Sequence, residues 1–212
     1  MTEKRRIFRL PCRIHAYGNG QNHSAARHTA SAAERRQIIM NETIKTLCSR
    51  ASCRSFRGEQ ISISELREVL AAGSHAPSGM NRHSARAVAV QDPDKINLLS
   101  QLNASVMGGS GDPFYGAPTV IVVMADSSVP TYIEDASLAI GNMLNAAYSL
   151  GLGSCWIHRA KEEMASPDGK RLMKEWGIDP SYVGVGNVIL GYPAEALPEA
   201  KAPREDFALL DD

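Results

Sequence analysis

Residues 50 to 56 read RASCRSF, which sets Arg50, Ser52, Arg54 and Ser55 close together, two guanidinium groups beside two hydroxyls. A guanidinium fork matches the oxygens of a phosphate or carboxylate two at a time, and hydroxyls and backbone N–H groups add further donors. The chemistry on offer is the grip of one compact anion. Elsewhere no side chain is marked as a nucleophile. GGSG at 108–111 and GLG at 151–153 do not complete a G-x-G-x-x-G between a strand and a helix, so a Rossmann nucleotide site has little support. A Walker lysine, HExxH and GxSxG are all absent. The four cysteines, Cys12, Cys48, Cys53 and Cys155, form no CxxC pair and no metal-type spacing with histidine, which argues against a zinc site and a disulfide framework. Cys155 reads as a small buried residue. Anion binding without an obvious catalytic side chain points to chemistry carried by a cofactor.

The elements that must position this segment follow from periodicity. NETIKTLCSR opens with a cap-competent Asn41, and ISISELREVLAAGSHA starts a second helix at Ser62 or Ser64 with Glu65 placed for a capping box. ARAVAVQD alternates as a strand, DKINLLSQLNASV reads as a helix, and APTVIVVMAD, a continuous β-rich apolar run between Pro118 and Asp126, reads as a strand buried on both faces. The strongest helix is IEDASLAIGNMLNAAYSLGLG, whose apolar face of small residues lets another helix approach closely. A strand at SCWIH, a helix around SPDGKRLMKEWG with Pro167 in its first turn, a strand at YVGVGNVILGYP and a polar tail complete the chain.

With 212 residues, 43% hydrophobic and 22% charged, the chain has the material for one sizeable core, and no apolar run approaches a membrane span. Its net charge is zero, but residues 1–40 hold eight Lys/Arg against two acids. The remainder is net negative, which disfavours nucleic-acid binding by the folded part. Residues 1–40 have few aliphatic groups to bury and are expected to be a disordered tail or an upstream translation start, with Met40 the natural beginning; their Arg-rich character is also that of a transit peptide. Residues 41–212 are expected to form the domain. A reducing cytoplasm fits the cysteine usage.

Taken in order, RASCRSF, APSGMNRH, FYGAPTVIVVMAD, DASLAIGNMLNAAYSLGLGSCWI and VILGYPAE with its Lys/Arg-containing tail resemble the nitroreductase superfamily of FMN-dependent oxidoreductases, over residues 41–212. The resemblance implies an α+β fold with a mixed sheet flanked by helices, and a homodimer with one FMN at each of two subunit interfaces. It implies hydride transfer from NADH or NADPH to FMN and then to a small organic acceptor of nitroaromatic or quinone type, in two steps. The flavin would carry the chemistry, with no catalytic side chain and no metal. Reductive dehalogenation, oxygen-dependent flavin cleavage, a non-catalytic flavin-binding protein and a flavin-free phosphate-binding module stay open.

Residue by residue, the resemblance assigns the FMN phosphate to Arg50, Ser52 and Arg54, with Ala51 contributing backbone. The loop at Pro77, Ser78, Met80 and Asn81 would meet the ring and ribityl chain of the flavin held mainly by the other subunit. The sequence departs there from the N-R-Q-P-W of many members, reading Asn81, Arg82, His83, Ser84, Ala85, so that His83 would stand for the glutamine. Trp156, Ile157 and His158 would bring backbone N–H groups toward the reactive ring nitrogen. Lys201, before a proline and an acidic pair, and Arg204 would add phosphate contacts from the tail. Phe114 and Tyr115 are candidates for the cleft wall, with apolar packing the blander role.

Overall fold

The computed structural model describes residues 6–7, 41–204 and 206–210. They fall in two units, Ser49–Glu199 and the remainder. In the second, strand β1 (Arg6–Ile7) pairs antiparallel with β6 (Leu209–Leu210). Helix α1 (Glu42–Ser49) opens the folded sequence, and its Ile44 N–H is capped by the Asn41 side chain at 2.9 Å. Apart from β1, the expectation for residues 1–40 lies outside the described residues.

The larger unit contains α2 (Ile63–Ser74), β2 (Ala85–Val90), α3 (Pro93–Val106), β3 (Thr119–Asp126), α4 (Tyr132–Ser149), β4 (Gly153–Ile157), α5 (Ala160–Ala165), α6 (Pro167–Glu175) and β5 (Tyr182–Gly191). The capping box of α2 forms as its sequence requires: the Glu65 N–H donates to the Ser62 hydroxyl, and the Glu65 carboxylate accepts from the Ser62 N–H. Four strands make one sheet in the order β2-β3-β5-β4. The α+β class holds, but every pairing in this sheet is antiparallel rather than mixed. The α4 crossover does return β4 in the direction of β3, yet β5 lies between them and runs against both.

Strand β3 explains why its sequence has no polar face. Ile121, Val123 and Ala125 enter a core with α2 and α4 on one side of the sheet, while Val120, Val122 and Met124 enter a second core with Leu99, Met164 and Leu172 on the other. Alternate side chains point to opposite faces, so a strand covered on both sides must be apolar at successive positions. The small-residue face of α4 receives α2, and Asn142 Nδ2 donates across the contact to the Ala72 carbonyl at 3.1 Å. In the larger unit one α-helix escapes the sequence reading: α5 forms ahead of α6, the two divided at Ser166, which caps α6 by accepting from Gly169 N. Six residues are too few for a helical period to register. Among the described residues no helix is long and apolar enough to cross a membrane.

Candidate functional site

The Arg50–Phe56 segment is docked on the sheet. Cys53 N–H donates to the Ser154 carbonyl of β4 at 2.9 Å, and Phe56 bridges to Pro193 just beyond β5. Close approach requires Gly153, because a Cβ there would lie 2.8 Å from Cys53 Sγ and 3.1 Å from the Phe56 ring. Cys53 is buried, while Arg50, Ala51 and Ser52 are half-buried and Arg54 is exposed. The buried cysteine therefore anchors a strip whose polar residues remain accessible. Among the described residues neither Arg50 nor Arg54 is paired with a carboxylate. Two unneutralised guanidinium groups beside the Ser52 hydroxyl fit the charge and donor demand of a phosphate monoester.

Arg54 lies over the ring of Tyr115, 6.0 Å from its centroid, at the outer range of a cation–π contact. The FYGAP turn that supplies this ring is organised by Asp112, whose carboxylate accepts from Phe114 N at 2.8 Å and Gly116 N at 2.6 Å. Phe114 is core, whereas Tyr115 is exposed and in the left-handed region at φ 55°. Packing is thus the role of Phe114 alone.

The 77–83 loop is anchored elsewhere, on the N-terminal turn of α4. Asp135 accepts the Gly79 N–H at 2.8 Å and the Ser84 hydroxyl at 2.7 Å, and Ser78 Oγ accepts the His83 N–H at 3.0 Å. Met80, Asn81 and His83 all have positive φ. Such conformations cost energy in non-glycine residues and persist where the surroundings enforce them. Burial works to raise the Asp135 pKa, but the Gly79 N–H, the Ser84 and Thr131 hydroxyls and the charge of His83 outweigh it and hold the carboxyl below its ordinary range. Pro77, Met80, Asn81 and His83 are left exposed, with Ser78 half-buried.

At the end of β4, Trp156 is half-buried and packs over Gly186, Ile157 is buried, and His158 is exposed. The side chains of Trp156 and Ile157 thus serve the core, and what this segment can offer a ligand is backbone. The turn is fixed by residues the sequence did not mark. Asn103 Nδ2 donates to the His158 carbonyl at 2.7 Å, and Asn103 Oδ1 accepts from Arg159 at 3.1 Å. Arg159 itself is left-handed at φ 79°. Behind them the fully buried Glu163 accepts from Asn103 and, at 2.9 and 3.0 Å, from Asn187. Desolvation pushes the Glu163 pKa up to about 7, against the hydrogen bonds from Asn103 and Asn187. Asn103 and Glu163 are 60 positions apart, so no local pattern could have disclosed the cluster.

In the other unit Lys201 is exposed, and Arg204 is held by Asp206 through two hydrogen bonds at 2.9 and 2.7 Å. That pairing engages the fork that a phosphate contact from Arg204 would need.

Known proteins place these segments in one family. A relative in Archaeoglobus fulgidus, with the provisional name NADH dehydrogenase/NAD(P)H nitroreductase, is 31% identical over 82% of this chain and 93% of its own length. The FMN reductase (NAD(P)H) of Bacillus subtilis is 28% identical over 78% of this chain and 70% of its own. Among solved structures, a nitroreductase with bound FMN from Bacteroides fragilis superposes with a TM-score of 0.75 at 28% identity, covering 82% of this chain and all of that one. The family model described as the Nitroreductase family matches residues 47–192, and this chain belongs to that family.

Proposed function

We propose that the protein is an FMN-dependent oxidoreductase that takes hydride from NADH or NADPH and reduces a small organic acceptor of nitroaromatic or quinone type. One observation carries the reading: the Cys53–Ser154 backbone bond holds an accessible, unneutralised Arg-x-Ser-x-Arg strip against the strand that ends in the 157–159 turn. A single ligand with a phosphate at one end and a planar ring at the other suits that pair of features. The flavin supplies the reversible hydride chemistry when bound.

The residues divide the remaining work. Arg50, Arg54 and Ser52 hold the phosphate with the Ala51 backbone. Backbone at Ile157 and His158 faces the ring, where a fixed donor stabilises charge arriving on reduction. The Pro77–His83 loop, with Ser78, Met80 and Asn81 at its tip, closes over the flavin of a second copy. Exposed apolar side chains support a homodimer: Met80 is 76% accessible, and Ile133 and Leu138 of α4 about half so, surface that a second subunit would cover. A cytoplasmic location suits the buried thiols of Cys53 and Cys155.

The test is the visible spectrum and mass of the purified full-length protein, followed by NADH and NADPH oxidation with and without p-nitrobenzoate or a benzoquinone. A yellow dimer that consumes reductant only with acceptor is expected. A colourless monomer that takes up no FMN overturns the proposal.

A further inference from the structure

Glu163 is 0% exposed and is not one of the residues of the Arg50–Arg54 strip. Its carboxyl faces Asn103 from α3 and Asn187 from β5, neither of them titratable. The charges acting on it are those of Glu162 on its own helix and Arg159 in the turn. Helix α6 meets α5 through Gly169, at the Glu163 backbone carbonyl. Asn103 then passes the constraint outward, holding the His158 carbonyl with its amide N–H and the Arg159 guanidinium with its oxygen. Every polar atom of that amide is therefore committed, and its orientation is fixed by Glu163.

The left-handed Arg159 needs such a clamp, because an L-residue with a side chain does not hold that conformation on its own account. Arg159 O also accepts the Glu163 N–H at 3.0 Å, so the turn and the first residues of α5 form one closed unit. A buried acid is an expensive way to orient an asparagine, and burial favours its neutral form. Asn187 Oδ1 is the one described buried side-chain atom without a hydrogen-bond partner, so the cluster is short of a donor.

We propose that Glu163 is a positioning residue for the flavin: through Asn103 it sets the His158–Arg159 turn, and gain or loss of its proton changes how that turn meets the ring. This rests on the flavin reading above. The residue touches neither ring nor substrate and acts only through the asparagine.

The test uses the full-length FMN-loaded protein, with visible circular dichroism and the midpoint potential of the bound flavin followed from pH 5.5 to 8.5. The wild type is expected to show a change in the flavin dichroism with its midpoint near pH 7. Glu163→Gln, which is neutral throughout, should keep FMN and lose that change, with a potential matching the wild type below pH 6 and less negative above pH 8. Asn103→Ala cuts the tie while leaving the acid, and should lose the same pH response. A wild-type flavin signal flat across the range overturns the inference without recourse to any variant, as does a variant that retains the response. Failure of the wild type to bind FMN overturns this inference and the proposed function together, whereas a flavin bound but indifferent to pH overturns this inference alone.

Discussion

Asp135, in the first turn of α4, accepts the backbone N–H of Gly79 at 2.8 Å across 56 positions of sequence. Its second oxygen takes the Ser84 hydroxyl, so one buried carboxylate closes both ends of the loop that contains Met80, Asn81 and His83. Asp135→Ala leaves those two donors without their acceptor and is expected to cost about 1–3 kcal/mol, read as a lowered melting temperature. Its folded pKa is depressed, so the contribution is complete above the unfolded carboxylate value and is lost as pH falls through the folded one. The gap between wild type and Asp135→Ala should therefore narrow in acid and stay constant near neutrality.

Arg50→Ala should weaken FMN binding tenfold to a hundredfold, since a charge-assisted hydrogen bond is worth roughly 1.5–3 kcal/mol. Fluorescence quenching on titration of FMN into the stripped protein measures it. Flavin retention equal to wild type removes Arg50 from the phosphate site.

Glu163 gives the stability a second pH dependence of opposite sign. Its pKa is raised from 4.5 to about 7, so between those values the folded chain binds more protons than the unfolded chain, and stability falls as pH rises through the window. At 1.36 kcal/mol per pKa unit the penalty above neutrality is on the order of a few kcal/mol. Denaturant midpoints of the wild type should decline from about pH 5 to 8, and those of Glu163→Gln should stay nearly level.

Gly184→Ala should be more damaging than its single methyl suggests. The new Cβ would sit 2.0 Å from the Ala160 carbonyl oxygen and 2.9 Å from Lys161 N, so α5 must lift from β5. The neighbours are backbone and cannot rotate away, which places the cost at about 3 kcal/mol, the upper part of the overpacking range. Chemical denaturation checks the loss, and a midpoint unchanged from wild type contradicts the contact.

Sequence alone determined the local features of this protein: the caps at Asn41 and Ser62, the helix start at Pro167, the doubly buried β3, and the cationic strip at Arg50–Arg54. Each depends on side chains within a few positions, so spacing is sufficient to disclose it. Tertiary structure decided the placement of β5 between β3 and β4, the docking of Cys53 on Ser154 and the meeting of Asn103, Asn187 and Glu163. Those residues come from α3, β5 and α5, and a buried carboxyl carries no sequence signature until the elements around it exclude water. The short α5 was likewise hidden, because its place is set by Gly184 beneath it rather than by a period of its own.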